Sequence, residues 1–203
     1  MIEAAFASGN SDKLAELRAV LADWRIDLLE GYVPPDETGA SYYENALIKA
    51  RYGRGLAAPA FFVIGEDSGI ECVALGGEPG LHSARWAAGV DQADALLERL
   101  AGVRDRRARM VSELVCLSPT LEEFHTAGVL EGAIAEGRRG EGGFGYDPIF
   151  IPAGFDQTVA EIGERWKERN SHRGKAALAL ILAVEAATSG VEPRGYASEG
   201  AVP

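Results

Sequence analysis

Ser8-Gly9-Asn10-Ser11-Asp12-Lys13 follows directly on the apolar run Ile2 to Ala7, and this junction decides how the chain is read. The run predicts a buried strand. Leu14, Leu17, Leu21 and Trp24 then recur on one helical stripe, so a helix follows. Asn10 is an N-cap by type, which puts Lys13 in the first turn. A cation is disfavoured there, because the free amides of a helix start already carry about half a positive charge. A bound phosphate reverses the sign, since amides, dipole and ammonium would all attract it. Gly9 lets a backbone approach such a ligand closely. The plainer alternative is a solvated Lys13 paired with Glu16 at i, i+3, worth a few tenths of a kcal/mol. The glycine spacing is not that of a Walker loop.

Outward from this junction, strands and helices keep alternating. Ile26 to Leu29 reads as a second strand, and Gly31 to Gly39, with Pro34-Pro35, as a loop. Ser41 opens a helix to about Leu56, with Tyr43, Ala46, Leu47 and Ala50 on its apolar stripe. Asn45 and Lys49 share another face at i, i+4. Phe61 to Ile64 predicts a short strand, which Gly65-Glu66-Asp67-Ser68-Gly69 is expected to interrupt before a second run, Ile70 to Leu75. Gly76 to Gly80 is a loop and Ala93 to Leu100 a helix. Two or three strands fall within Met110 to Ile134, and another at Ile149-Phe150-Ile151. The last helix is expected from His172 to Ala187, with Leu178, Ile181 and Leu182 inward. The interleaving gives an α/β class. Residues 1–187 are expected to form one domain, and 188–203, small and polar, a flexible tail.

With 203 residues, 47% of them hydrophobic, a sizeable core is available. A net charge of −11 argues against broad contact with nucleic acid or an anionic membrane, both of which demand a basic surface. A small anion remains compatible, because a few cations can converge in one cleft. Cys72 and Cys116 lie in apolar runs without C-x-x-C spacing, and read as buried thiols of a reducing cytosol rather than a disulfide or zinc site. The N-terminus carries Glu3 and no basic segment. The longest apolar stretch, Ala176 to Val184, is far short of the roughly 20 residues of a membrane span. A soluble, cytoplasmic protein is expected.

Three further clusters could carry chemistry. Glu66 and Asp67 are adjacent acids between apolar runs, so they need a compensating cation or must shift their protonation. Magnesium takes one or two carboxylates plus phosphate oxygens. Asp36-Glu37 could complete such a site and Glu44 is a weaker candidate, while an ordinary Asp-Ser-Gly turn is the alternative. Gly142-Gly143-Phe144-Gly145-Tyr146-Asp147-Pro148 sets two aromatics on a permissive loop, either to cover the core or to stack on a base. Lys167 precedes a second cationic helix start, where Ser171 reads as N-cap and His172, Arg173 and Lys175 crowd the first turn. Adjacent Ser171 and His172 cannot face each other as a catalytic triad needs, and no G-x-S-x-G elbow is present.

These stretches, with Glu37-Thr38-Gly39, Glu44-Asn45-Ala46-x-x-Lys49-Ala50 and Gly76-Gly77-x-Pro79-Gly80-x-x-Ser83-Ala84-Arg85, occur in order over residues 8 to 173. Together they resemble the inosine/xanthosine triphosphate pyrophosphatase family, which removes deaminated purine nucleotides such as ITP, dITP and XTP. The resemblance implies an elongated α/β fold with a mixed β-sheet and two lobes around a central cleft, and a homodimer. It also implies magnesium-dependent hydrolysis of a nucleoside triphosphate to monophosphate and pyrophosphate. By the same resemblance, Ser8, Gly9, Asn10, Ser11, Asp12, Lys13 and Lys49 hold the triphosphate. Glu37 and Asp67 bind magnesium, Asp67 activates water, and Ser68 contacts substrate. Phe144, Gly145, Tyr146, Asp147, Lys167, His172 and Arg173 form the nucleoside pocket. The rivals are a pyrophosphatase for other modified nucleotides and a non-catalytic nucleotide-binding module, which would need no carboxylate cluster.

Overall fold

The computed structural model describes residues 1–188 apart from 84 and 88. The first strand, β1 (Ile2–Phe6), runs parallel to both of its neighbours, β2 (Trp24–Leu28) and β3 (Phe62–Cys72). β4 (Arg107–Leu117), β5 (Glu123–Ile134) and β6 (Phe150–Pro152) then add antiparallel, giving one mixed six-stranded sheet in the order β2-β1-β3-β4-β5-β6. The helices are α1 (Ser11–Val20), α2 (Tyr42–Arg54), α3 (Gln92–Arg99), α4 (Val159–Ile162), α5 (Glu164–Asn170) and α6 (His172–Thr188). The α/β class read from the sequence is the class found. The tail is expected from Thr188; Thr188 itself ends α6, and 189–203 lie outside the described residues. No described helix is long and apolar enough to cross a membrane.

The expected break at Gly65–Gly69 does not occur. β3 is one strand of 11 residues, and every residue from Val63 to Cys72 is paired with β4. Gly65 serves close packing rather than a turn. A Cβ there would lie 2.1 Å from the Ala46 carbonyl oxygen, so α2 rests directly on the strand. The chain between Met110 and Ile134 holds two long strands rather than three.

Two apolar clusters share one face of the sheet. Phe6, Leu17, Leu21, Ile64, Leu114, Phe124 and Leu180 form the first, beneath α1 and α6. Ile70, Leu96, Leu100, Met110, Leu130, Ile149 and Phe150 form the second. Strand alternation places Glu66 and Ser68 of β3 between them, and the cross-strand row Ser68–Ser112–Gly128 separates the two cores. That polar, small-residue row is the floor of a cleft.

The inward face of α6 also differs from expectation. Ala176, Ala177, Leu180 and Val184 are buried, while Leu182 is 67% exposed and Leu178 and Ile181 only partly covered. Small residues face inward because α6 sits tight on β5. A Cβ on Gly128 would lie 2.0 Å from the His172 carbonyl oxygen. Both cysteines are buried and free.

Candidate active site

The parallel ladder between β1 and β3 stops at Phe6–Ile64, where Ala7 N donates to Ile64 O at 2.8 Å. β3 runs on for eight more residues. Among the described residues no strand pairs with that edge, which meets only side chains (Lys49 on Glu66 O, Ser83 on Ile70 N) before an isolated bridge from Glu71 to Pro79. The chain leaving β1 turns over this open edge through Ser8–Asn10 and enters α1. Asn10 caps the helix, its side chain accepting from Asp12 N (2.9 Å) and Lys13 N (3.0 Å), while Asn10 N donates to Ser8 Oγ (3.1 Å). Ser8, Gly9, Asn10 and Lys13 line a cavity of about 380 Å³. Ser11 and Asp12 are exposed on the outer side of the turn.

Lys13 does not pair with Glu16. Its Nζ lies 2.7 Å from Glu66 Oε2, and from there an alternating run of charges crosses the cleft floor. Glu66 Oε1 accepts from Ser112 Oγ (3.0 Å) and from Arg173. Arg173 also reaches Ser68 Oγ (3.1 Å) and pairs with Glu16. Glu16 pairs in turn with Lys167, whose Nζ is 2.5 Å from Asp147 Oδ2. The order is therefore Lys13, Glu66, Arg173, Glu16, Lys167, Asp147, all buried except Lys13.

Burial alone would drive these carboxylic acids toward the neutral form, and the outcome differs between them. Burial opposes charge on Glu66, but Lys13 and Arg173 beside it hold its carboxyl well below the usual range. Glu16 is likewise held low against its burial, by Arg173 and Lys167. For Asp147 burial wins over Lys167, and its carboxyl is raised. The second expected cationic helix start is thus already compensated by buried acids. Ser171 Oγ caps it through Gly174 N at 3.0 Å, as its residue type suggested. Lys175 points away, to Val129 O.

On the other face of β3, α2 presents Asn45 and Lys49 to Asp67. Asn45 Nδ2 donates to Asp67 Oδ2 (3.1 Å), and Lys49 Nζ lies 2.7 Å from Asp67 Oδ1 and 3.1 Å from the Glu66 carbonyl oxygen. Glu37 Oε1 sits 2.6 Å from the same Nζ, while its other oxygen is 2.8 Å from Arg85 Nη1. Burial raises the Asp67 carboxyl, with Lys49 opposing and Glu66 adding to the rise. Glu37, against its own burial, is held low by Lys49 and Arg85.

Glu37 and Asp67 are the carboxylates here that could hold a magnesium ion. Two hard carboxylate oxygens converge on a single cationic nitrogen, and a divalent ion could take that place. No described group of three or more histidine, cysteine, aspartate and glutamate side chains could hold a metal ion. The set is complete only with oxygens from a ligand, the way magnesium usually binds alongside phosphates. Asp36 and Glu44 are exposed, and Glu44 is spent on the start of α2, where Ala40 N donates to it at 2.5 Å.

The far end of the cavity is of different character. His172 is buried, its Nδ1 has no hydrogen-bond partner, and burial together with Arg173 drives its pKa down to about 3, so the ring is neutral. The Phe144 ring faces the Lys167 ammonium at 4.4 Å from its centroid. Asp147 Oδ2 accepts from Phe144 N at 2.8 Å and fixes the loop. Tyr146 lines the cavity but is buried in the second core, its hydroxyl 3.4 Å from Ser83 O. A larger cavity, about 780 Å³, opens on the outer side of β3–β6, but its charged groups are exposed arginines beside acids, with Arg109 already paired to Glu71.

A family model described as the Ham1 family matches residues 4–183. The chain belongs to the Ham1 family. It is 42% identical over 187 residues to a dITP/XTP pyrophosphatase of Deinococcus radiodurans, covering 87% of this chain and 90% of that protein. It is also 42% identical over 198 residues to a dITP/XTP pyrophosphatase of Thermus thermophilus, covering 93% of each. Among solved structures, the Staphylococcus aureus Ham1 protein superposes with a TM-score of 0.75 at 34% identity, covering 94% of this chain and all of that one.

Within this Ham1 fold the sequence-derived residues Ser8, Gly9, Asn10, Lys13, Lys49, Glu37, Ser68, Phe144, Gly145, Tyr146, Asp147, His172 and Arg173 all line the one cavity. Asp67 and Lys167 reach it through their ion pairs. Glu16 and Ser112 were missed. Glu16 sits three residues after Lys13 and reads as its surface partner, yet it is buried between two cations of other helices. Ser112 reads as a strand serine, and its contact with Glu66 depends on a register that only the folded sheet sets.

Proposed function

We propose that this cavity binds a nucleoside triphosphate and hydrolyses it between the α- and β-phosphates, releasing pyrophosphate, with deaminated purines (ITP, dITP, XTP) as substrates. The observation that carries the reading is the pairing of Glu37 and Asp67 on one ammonium, Lys49, beside the capped start of α1. A triphosphate there meets the free amides after Asn10, Lys13 and Lys49, all of opposite sign to its own charge. Magnesium, held through Glu37 and Asp67, would neutralise charge on the phosphates. Asp67 takes the proton of the attacking water on its carboxylate, and its raised pKa suits that role. Little covalent work falls to the protein, so positioning and charge neutralisation carry the rate.

Base choice follows from hydrogen-bond polarity. Hypoxanthine and xanthine present an acceptor oxygen where adenine presents an amino donor, and Lys167 and Arg173 are donors only. Each unpaired buried donor costs about 1–3 kcal/mol, so two mismatches suffice for strong rejection of ATP. The deciding experiment measures pyrophosphate release from ITP, dITP, XTP, GTP and ATP at fixed magnesium, with and without chelator. Hydrolysis of ITP far faster than ATP, lost on chelation and restored by magnesium, supports the reading. Equal rates on ITP and ATP overturn the base preference, and binding without turnover favours a non-catalytic module. The same reading carries a homodimer in the cytoplasm, which light scattering of the purified protein tests for assembly.

A further inference from the structure

Tyr32 stands in the turn after β2, where Gly31 takes a φ of +70° and Tyr32 N donates to Leu29 O at 3.2 Å. Its ring meets Tyr52 of α2 edge-on, with centroids 5.9 Å apart. The residue lines the same cavity as Lys13, Glu37 and Lys49. Its hydroxyl is closed off from solvent and has no hydrogen-bond partner. Phenylalanine would fill the place without leaving a buried hydroxyl unpaired, so the oxygen costs stability in the free protein and must be used elsewhere. Tyr52 belongs to α2, the helix that also carries Lys49, so the ring contact sets Tyr32 at the phosphate end of the cavity, where Lys49 and Glu37 act on its hydroxyl. Burial pushes the phenol up to about 12, so it remains a donor at any physiological pH.

We propose that Tyr32 is a further substrate-binding residue whose hydroxyl donates a hydrogen bond to the pyrophosphate portion of the bound triphosphate. The proposal rests on the enzymatic reading above and deepens it. A hydroxyl at this end contacts the leaving group and not the nucleoside monophosphate, so the two products separate its role from a general one. On binding, the buried oxygen gains the partner it lacks.

The test is Tyr32→Phe, assayed with dITP as substrate and with pyrophosphate and dIMP as product inhibitors. The expected result is a KM for dITP about tenfold higher and pyrophosphate inhibition weaker by the same factor, with dIMP inhibition unchanged. The thermal midpoint of the ligand-free variant should equal or exceed the parent's, because only an unpaired hydroxyl has been removed. Unchanged pyrophosphate inhibition overturns the proposal. So does a lower midpoint, which would give the hydroxyl a partner in the free protein. If the parent releases no pyrophosphate from any deaminated nucleotide, the enzymatic reading fails. Calorimetric binding of pyrophosphate to parent and variant then still decides the role of Tyr32.

Discussion

Glu66 and Asp67 are neighbours in sequence whose carboxylates leave opposite faces of β3 and join different halves of the site. Glu66 meets Lys13 of α1 and Arg173 of α6, whereas Asp67 meets Asn45 and Lys49 of α2. The side-chain period of a strand is two, so two adjacent acids must diverge. They serve one cleft only because β1 stops pairing at Ile64 and leaves an edge around which both faces are reached. The divergence also separates their charge states. Glu66 balances two cations in full burial and is held ionised. Asp67 has burial pushing its pKa up and is the better proton acceptor.

The two acids should therefore fail differently when neutralised. Asp67→Asn should lower kcat by about a thousandfold, the scale of a lost general base. It should cost little stability, because Lys49 keeps Glu37 as a partner. Glu66→Gln should cost about 3–5 kcal/mol, since it leaves Lys13 without a carboxylate partner and the buried Arg173 with Glu16 alone. Denaturant unfolding beside steady-state pyrophosphate release separates the two. Equal stability losses would refute the division of labour.

Glu16 ties Lys167 to Arg173, so its removal should loosen both donors at once. Glu16→Gln leaves Lys167 with Asp147 and Arg173 with Glu66, and the fold should survive with a loss of about 3 kcal/mol. The preference for ITP over ATP should fall about tenfold, because donors free to move no longer clash rigidly with the adenine amino group. The ratio of kcat/KM values for the two nucleotides checks this. An unchanged ratio would make Glu16 a purely structural acid.

Local signals carried the sequence reading a long way and failed at long range. The Asn10 cap, the Ser41 cap and the i, i+4 face of Asn45 and Lys49 depend on residues within one helical turn, and all three stand as read. Gly65 and Gly69 read as turn residues, because a glycine pressed against neighbouring chain carries the same letter as a glycine in a bend. Leu182 was expected inside because it is apolar. Instead the inward face of α6 is Ala176, Ala177, Leu180 and Val184, with the small residues where the helix start lies closest to β5. Glu16 reads as a surface acid, since its two cations arrive from residues 167 and 173. What escaped was each case where a neighbour distant in sequence decides a residue's role.

That closeness makes its own prediction. A Cβ on Gly128 would lie 2.0 Å from His172 O and 2.7 Å from Ala176 N, both backbone atoms that cannot swing aside. Gly128→Ala should push α6 off β5 and cost about 2–3 kcal/mol or more. It should also weaken ITP binding, because His172 and Arg173 move with the helix start. Gly9→Ala is the control: a Cβ there meets nothing within 4 Å, so the fold should keep its stability. Unfolding midpoints of the two variants give the comparison, and a stable Gly128→Ala protein would contradict the packing.

His172 supplies a pH dependence of defined sign. Its pKa is about 6.5 in an unfolded chain and about 3 in the fold, lowered by burial and then by Arg173. Between those values the unfolded state binds one proton more than the native state, so stability falls as pH falls below about 6.5. The slope is at most about 1.4 kcal/mol per pH unit for this one group, and it vanishes above pH 7 where both states are neutral. The depressed carboxylates Glu16, Glu37 and Glu66 act lower, below the ordinary glutamate pKa near 4.5. The raised carboxyls of Asp67 and Asp147 gain protons in the fold and act with the opposite sign, so the His172 share is read as the difference between parent and variant. Between pH 7 and 5 the unfolding free energy of the parent should fall by about 2 kcal/mol more than that of His172→Gln, whatever the variant's absolute stability. Identical slopes in the two proteins would mean that the buried ring gains its proton without opposing the fold.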